Sequence, residues 1–437
     1  MYWISKLIHR LTRVRRRTLI LLAVVGPGII TMVADNDAGG ISTYAVTGSQ
    51  YGFNLLWVFL ILVPMAYFVQ EMTVRLGAVT KRGHAEAIFD AFGPFWGWFS
   101  IFDLAIVNWL TLVTEYIGMT AAMSLFGIPP IVTYVFVTAV LLGVVMTGKY
   151  WTFEKLTLFF CIFNFVYVPA ALWAMKTGNV AGGWSKVWQG FYMPEFAGGF
   201  TPALLFIIMA NIGTTITPWQ IFFQQSSVVD KGMDVHDIKF GKIDTFTGSL
   251  LTGLVAIFII IATGAAMYYH NPPILVQDAK QTAEAIVPLL PHGDGEWARR
   301  LFAIGLFDAG FLGALCISLS TSWAVGEVFG WAHSLNKSIK DAPWFYVVYL
   351  ITIASAGLVV LLPGAPLIQI TMFVQVVAVT LLPSSLVFLI LLLNDKSLMG
   401  DYVNTRWQNI ANWSITAFVI IMSTVFGLTI LFPNILA

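Results

Sequence analysis

Charged residues are scarce in this chain of 437 residues: Asp, Glu, Lys and Arg make up 10% of it, against about 25% in an ordinary soluble domain. The 23 basic and 22 acidic side chains nearly cancel, so no net field attracts nucleic acid as a partner. The two cysteines, Cys161 and Cys316, both lie in apolar runs, which excludes a disulfide framework and a cysteine zinc site. These shortages argue against a soluble protein.

Hydrophobic residues are abundant, at 58% of the chain, and the mean hydropathy is +0.82. A membrane helix needs about 20 mainly apolar residues. Eleven such segments cover the chain, which predicts a single transmembrane domain over residues 1–437 with membrane lipid as its surroundings. The predicted spans are 19–50, 54–75, 95–126, 128–147, 152–175, 201–229, 245–270, 298–330, 343–362, 366–393 and 410–434.

The distribution of Lys and Arg predicts the orientation of these spans. With the N-terminus inside, 18 of the 23 basic residues fall on the cytoplasmic side, in agreement with the positive-inside bias. The basic cluster at residues 13–17 is expected to anchor this topology at an anionic leaflet. We therefore expect a multi-pass protein of the cell membrane with its N-terminus cytoplasmic and its C-terminus outside.

Two of the spans contain polar or helix-breaking residues near their middle. Residues 35–40 of the first span include two acids, an amide and a glycine pair, and the sixth span carries Gly213 and Pro218 about 180 residues further on. Interrupted helices at matching positions of two halves are typical of secondary transporters with inverted repeats and a midplane site. The repeats would cover about 19–175 and 201–393, with an extra helix at about 410–434.

Asp37 in the first span needs a counter-charge. An ionised carboxylate in the membrane costs about 2.5 kcal/mol or more. No Lys or Arg lies deep within the apolar segments, so the chain itself does not supply that charge. The sequence therefore predicts that Asp37 meets a transported cation.

Several blocks of the sequence resemble one known family. Residues 26–52, which contain Asp37-Ala38-Gly39-Gly40, are similar to the first helix of the Nramp divalent-metal transporters, whose signature is Asp-Pro-Gly-Asn. The resemblance implies an all-α, LeuT-type (APC) fold of ten core helices plus one, working by alternating access. Further similar blocks, in the same order along the chain, are 75–80, 115–118, 125–129, 375–377 and 395–400.

The resemblance also implies a set of site residues, some of which depart from the family pattern. Gly40 replaces the signature Asn, Thr217 replaces a Met, Trp219 and Gln224 replace two His, and Leu112 replaces an Asp of the third helix. Asp35 and Glu115 are expected to lie beside the metal or along its path, together with Trp219 and Gln224. The implied metal ligands are Asp37, Ala34, Gly40, Thr214, Thr217 and Gln375.

These departures predict the cargo. Without the thioether, the ligands are carboxylate, carbonyl, hydroxyl and amide oxygens, which suit Mg²⁺, Ca²⁺ or Mn²⁺. Because Gly40 and Thr217 leave room for water and Mg²⁺ dehydrates reluctantly, we expect a transporter of largely hydrated Mg²⁺, with Mn²⁺ as a second substrate. The loss of both His predicts little or no proton coupling. The ion is cargo, no cofactor is expected, and we expect a monomer.

Other functions fit the sequence less well. A proton-coupled Mn²⁺/Fe²⁺ symporter of Nramp type and an amino-acid carrier on the same fold are the alternatives. An enzyme is disfavoured, because no loop carries a nucleophile beside a base or a phosphate-binding motif. The acids Asp308 and Glu327 in the eighth span are expected to have structural roles.

Overall fold

The computed structural model describes residues 25–178, 180–193, 195, 199, 201–286 and 294–431. The basic cluster at 13–17, the predicted start of the first span at 19–24 and the predicted end of the last span at 432–434 lie outside the described residues. Throughout the described ranges the regular secondary structure is helical.

Within the described residues, the first half of the chain forms nine α-helices. The first predicted span is two helices with a break at residues 34–37, and the fifth is two helices joined by a 3₁₀ turn at Phe163–Val166. The helices are α1 (Pro27–Val33), α2 (Ala38–Tyr51), α3 (Leu56–Thr80), α4 (His84–Phe92), α5 (Pro94–Ser124), α6 (Pro130–Val145), α7 (Tyr150–Cys161), α8 (Tyr167–Thr177) and α9 (Trp184–Tyr192).

The second half repeats this organisation. Its first span is again broken, at residues 216–217. The helices are α10 (Pro202–Thr215), α11 (Pro218–Asp230), α12 (Ile238–Thr263), α13 (Ala279–Ile286), α14 (Asp294–Phe329), α15 (Pro343–Leu358), α16 (Leu367–Asn394), α17 (Lys396–Met399) and α18 (Arg406–Leu431).

Most of the predicted spans are confirmed as long apolar helices of the described residues. Within the described residues, nine helical stretches are long and apolar enough to cross a membrane, and Pro130–Val145 is a shorter apolar helix. The α1–α2 pair lies at the first predicted span, and a crossing by this pair and by Pro130–Val145 stays a prediction. Of the nine long stretches, Pro202–Asp230 is the most completely buried by the rest of the protein and Arg406–Thr429 the least. The broken sixth span is therefore central, and the extra helix is peripheral.

Local chemistry explains where the sixth span breaks. Pro218 begins α11 and has no N–H, so the carbonyl of Thr214 lacks the donor that a continuous helix would place four residues later. Ile216 and Thr217 accordingly take extended backbone angles. Pro64 and Pro383 behave differently, since α3 and α16 continue through them. Proline alone therefore does not decide where a span opens.

The helix bounds differ from the sequence prediction mainly at polar ends. Helix α3 continues to Thr80, past the predicted end of the second span at 75. Helix α12 begins at Ile238, before the predicted start of the seventh span at 245. The first turns of α12 carry Lys239, Lys242 and Asp244, and these charged residues lower the local hydropathy below that of a membrane span. The short helices α4, α9, α13 and α17 between spans were not predicted for the same reason.

Candidate metal site

Asp37 lies in the break of the first span and caps the helix that follows. Its side chain accepts a hydrogen bond from the Gly40 N–H, with Oδ1 and N 2.7 Å apart, and the residue is 1% exposed. Its backbone is extended, as expected of an N-cap residue. A carboxylate is therefore held, away from bulk water, at the positive end of α2.

Three oxygen atoms converge on the place where a side chain at Gly40 would begin. A Cβ built on Gly40 would lie 2.8 Å from Thr214 Oγ1, 3.1 Å from the Asp35 carbonyl oxygen and 3.3 Å from Asp37 Oδ1. The Thr214 hydroxyl has no hydrogen-bond partner within the described part of the chain. Glycine thus leaves a small space bordered by a hydroxyl, a carbonyl and a carboxylate, all three from the two broken spans.

Gln375 on α16 approaches the same turn of α2. Its Nε2 lies 2.1 Å from the position of a Cβ on Gly39, and Thr114 Oγ1 of α5 lies 3.2 Å from that position. Gln375 is fully buried, and neither atom of its amide has a partner among the described residues. A buried amide without partners is costly, so this side chain is available to bind a ligand. Thr114 was missed from the sequence, where a threonine inside a span carries no distinguishing signal.

A second carboxyl group lies next to Asp37. Glu115 Oε2 accepts a hydrogen bond from the Ala38 N–H at 3.0 Å. A Cβ on Gly313 of α14 would lie 2.9 Å from both Asp37 Cβ and Glu115 Oε2, so these two acids pack against the same glycine. The N-terminus of α2 therefore holds two acids side by side.

Asp35 joins the two breaks to each other. It is fully buried, and its Oδ1 accepts a short hydrogen bond from Gln220 Nε2. The Oε1 of Gln220 accepts a hydrogen bond from the Thr217 N–H at 3.1 Å. Asp35 Oδ2 has no partner in the described ranges. Gln220 was also missed, although the spacing Thr217-Pro-Trp-Gln220 matches a helix capping box and marks it.

The remaining expected site residues lie at the breaks or on α11. Ala34 is the C-cap of α1 and Thr217 the N-cap of α11, so both stand where helical hydrogen bonding stops. Trp219 packs against Phe223, and Gln224 Nε2 donates to Thr245 Oγ1 at 2.8 Å. Trp219 and Gln224 therefore contact neighbouring side chains and not Asp37.

Asp35, Asp37, Glu115, Thr214 and Gln375 form one buried group, which we call the Asp37 cluster, and its acids form no ion pair within the described residues. Among the ion pairs formed by described residues, none includes Asp35, Asp37 or Glu115. In the same part of the chain, no three His, Cys, Asp or Glu side chains are grouped as a metal site. A metal here would be held by a mixed set of carboxylate, carbonyl, hydroxyl and amide groups.

Comparison with known sequences agrees with this arrangement. A family model described as Nramp, natural resistance-associated macrophage protein-like, matches residues 28–429. A divalent metal cation transporter MntH of Listeria welshimeri is 28% identical over 426 residues, covering 92% of this chain and 89% of that protein. The metal transporter Nramp3 of Oryza sativa is 24% identical and covers 94% of this chain and 74% of that protein.

Comparison with solved structures confirms the fold. The Eremococcus coleocola manganese transporter, as its H236A mutant, superposes with a TM-score of 0.76 at 20% identity, covering 95% of this chain and 88% of that one. MhsT in complex with L-phenylalanine superposes with a TM-score of 0.55 at 14% identity, covering 92% and 98%. The expected LeuT-type fold is confirmed by these likenesses.

Proposed function

Because the chain belongs to the Nramp family, we propose that it carries divalent metal ions across a membrane through the Asp37 cluster. Membership makes it a multi-pass transporter and not an enzyme. The observation that carries the proposal is the space at Gly40, where oxygen atoms of Asp35, Asp37 and Thr214 meet. The amide of Gln375, which has no hydrogen-bond partner among the described residues, would add a further ligand next to them.

The cargo we propose is a hard divalent cation. Mn²⁺ is supported by relatives whose names refer to divalent metals or manganese. Those names do not support a magnesium specificity, and the case for Mg²⁺ comes from donor chemistry alone. Thr217 provides no thioether and Gly40 no side chain, so the ligand set consists of oxygens, which Mg²⁺ and Mn²⁺ both accept.

Two versions of this function differ in whether metal transport is coupled to proton transport. Trp219, Gln224 and Leu112 cannot exchange protons near neutral pH, which supports uncoupled transport. Glu115 supports the second candidate, a proton-coupled Mn²⁺/Fe²⁺ symporter, because it lies beside Asp37 and could release a proton when the metal arrives. The relatives' names favour this second candidate.

The broken helices support alternating access to the site. Residues at the break between α1 and α2 contact residues at the break between α10 and α11, so a tilt of these half-spans would open the site to one side of the membrane at a time. We further propose that the end of the bundle with Arg75 faces the cytoplasm, in keeping with the distribution of basic residues.

Uptake into liposomes tests the proposal. Asp37→Asn keeps the size of the side chain but removes its charge, so we expect Mn²⁺ uptake and its competition by Mg²⁺ to be abolished. Asp103→Asn is the matched control. Asp103 is a buried acid of α5, and its carboxylate accepts a hydrogen bond from the hydroxyl of Ser384 on α16. Full Mn²⁺ uptake by Asp37→Asn would contradict the proposal, and uptake of Mn²⁺ without Mg²⁺ competition would remove magnesium from it.

A pH-sensitive dye inside the liposomes separates the two versions. Metal-driven acidification that is lost in Glu115→Gln supports the symporter, whereas metal uptake without acidification supports the uncoupled transporter.

A further inference from the structure

A second group of buried polar side chains lies between the fifth and eighth spans, separate from the Asp37 cluster. It consists of Asn164 in the 3₁₀ turn, Tyr167 at the start of α8 and Asp308 on α14, and we call it the Asp308 cluster. Asn164 Nδ2 donates to Asp308 Oδ2 at 3.3 Å. The Tyr167 hydroxyl lies 2.9 Å from the position of a Cβ on Gly305, which is one helical turn before Asp308.

The hydrogen bonding of this cluster is incomplete. Asn164, Tyr167 and Asp308 are 0%, 1% and 4% exposed. Asp308 Oδ1, Asn164 Oδ1 and the Tyr167 hydroxyl each lack a hydrogen-bond partner among the described residues. Groups buried to this degree are normally paired, and the usual explanation of a group of such atoms is a missing ion or water. Three oxygens of one cluster are therefore open to a ligand.

The charge of the cluster is also unbalanced. No ion pair of the described residues includes Asp308, and Asn164, which donates a hydrogen bond to it, is neutral. An acid in a membrane span generally faces a cation, a proton or water. One carboxylate balances one positive charge, so a monovalent cation leaves the cluster neutral, whereas a divalent ion would leave an excess.

The backbone marks the same place. The fifth span changes from α-helix to a 3₁₀ turn at Phe163–Val166, and Asn164 is the buried residue of that turn. A short 3₁₀ stretch inside a helix often marks a functional position, and in a membrane it alters the carbonyl pairing that a regular helix provides. The fifth span is thus irregular at the one point where it meets Asp308.

A cavity lies beside the cluster. A space of about 470 Å³ lies between the fifth, seventh and eighth spans, and Tyr167 is part of its wall together with Thr263, His270 and Phe302. His270 follows the π turn that ends the seventh span, so the cavity lies toward that end of the bundle. Tyr167 belongs to both the cavity wall and the cluster, so it separates the cavity from Asn164 and Asp308 by a single side chain.

We propose that Asp308, Asn164 and Tyr167 form a binding site for a monovalent cation, Na⁺, reached through this cavity. Hard oxygen ligands, one of them a carboxylate, suit Na⁺ in charge and in chemistry. The site is distinct from the Asp37 cluster, and it does not depend on which divalent ion is carried.

Binding of ²²Na⁺ to the purified full-length protein in nanodiscs, with choline as the replacement cation, tests the proposal. We expect saturable binding that Asp308→Asn weakens about tenfold or more, since the variant removes the only charge of the site. Tyr167→Phe removes one oxygen and is expected to weaken binding about threefold, a smaller loss that fits a neutral ligand. Asp103→Asn, whose carboxyl group pairs with Ser384, is expected to bind as the wild type does.

Mn²⁺ binding, measured on the same samples, reports on the Asp37 cluster and distinguishes the two sites. It is expected to survive in Asp308→Asn, while ²²Na⁺ binding is expected to survive in Asp37→Asn. An absence of saturable ²²Na⁺ binding in the wild type would mean that Asp308 is simply protonated and would overturn the proposal. Equal ²²Na⁺ affinity in wild type and Tyr167→Phe would overturn it as well, even if Asp308→Asn did not fold.

Discussion

At Gly40, the absence of a side chain creates the space that the proposed site needs. A Cβ there would lie 2.8 Å from Thr214 Oγ1 and 3.1 Å from the carbonyl oxygen of Asp35. We expect Gly40→Ala to lower Mn²⁺ uptake about tenfold, which corresponds to about 1.4 kcal/mol of lost binding. Uptake into liposomes at subsaturating Mn²⁺ measures the effect.

A second glycine provides the matched control for this variant. Gly143 lies within α6, is exposed, and has no atom near the position of a Cβ. Because alanine favours a helix over glycine, Gly143→Ala is expected to fold and transport normally. Equal uptake by the two alanine variants would show that the space at Gly40 is not used by the ion.

The residue at position 217 is predicted to set the preference among metals. Thr217 is the N-cap of α11, buried at the break where the resemblance to Nramp proteins places a thioether. We expect Thr217→Met to raise Cd²⁺ uptake relative to Mg²⁺, because a thioether is a soft ligand. Competition of Mn²⁺ uptake by Cd²⁺ and by Mg²⁺ measures the ratio, and Thr217→Leu controls for size. The same ratio in both variants would contradict a ligand role for this position.

Individual site residues were predictable to different degrees. Asp37 stands out from the sequence, because an acid in an apolar span with no basic partner is costly. Gln220 and Thr114 do not stand out in the same way, since polar uncharged side chains are tolerated in many spans. Their importance depends on neighbours from other helices: Gln220 Nε2 donates to Asp35, and Thr114 Oγ1 lies near Gly39.

Among the helices, the short α1 depends on a distant side chain for its N-terminus. Asp244 of α12 accepts hydrogen bonds from the N–H groups of Gly26, Gly28 and Ile29 at 3.1, 2.7 and 3.3 Å. Pro27 has no N–H, so these bonds cover the first donors of α1. This carboxylate therefore performs the capping that the N-cap residue, Gly26, cannot.

Removing this cap is predicted to loosen α1. Asp244→Ala leaves two buried N–H groups and one partly buried N–H group without this partner, at a cost of about 1–3 kcal/mol. We expect faster hydrogen exchange in peptides covering residues 25–33 and a lower unfolding temperature. Asp237→Ala is the control. Asp237 is the N-cap residue of α12, but its carboxylate accepts a hydrogen bond from the Asp234 N–H of the preceding loop. Unchanged exchange in α1 after Asp244→Ala would refute the capping role.

For the whole molecule, one ionic network joins three distant parts of the chain. Arg75 of α3 forms a bidentate pair with Glu71, donates to Asn404 Oδ1 at 2.7 Å, and donates to the Tyr402 carbonyl oxygen at 3.0 Å. Lys242 of α12 reaches the same Glu71 at 2.7 Å. The network holds the second and seventh spans and the segment before the last span together at one end of the bundle.

The cost of breaking this network is predicted from its burial. Arg75 and Glu71 have side chains that are each 4% exposed. Arg75→Leu leaves Glu71 with Lys242, whose side chain is 34% exposed, as its remaining ion-pair partner among the described residues, so we expect a loss of about 3 kcal/mol, seen as a lower unfolding temperature in detergent. Arg82→Leu is the control, because the pair of Arg82 with Asp90 is 42% and 47% exposed and contributes little. Equal losses in the two variants would contradict this account.

Composition and local pattern were enough to predict the membrane setting, most of the apolar spans and the two broken spans, because hydropathy and helix breaking depend on residues that are neighbours in the sequence. The partners of the polar side chains were not predictable in this way. Asp35 and Gln220 are 185 residues apart, Gly28 and Asp244 are 216 apart, and Asn164 and Asp308 are 144 apart. Such pairs form only when whole helices pack, since packing sets the distance between groups that no local pattern relates.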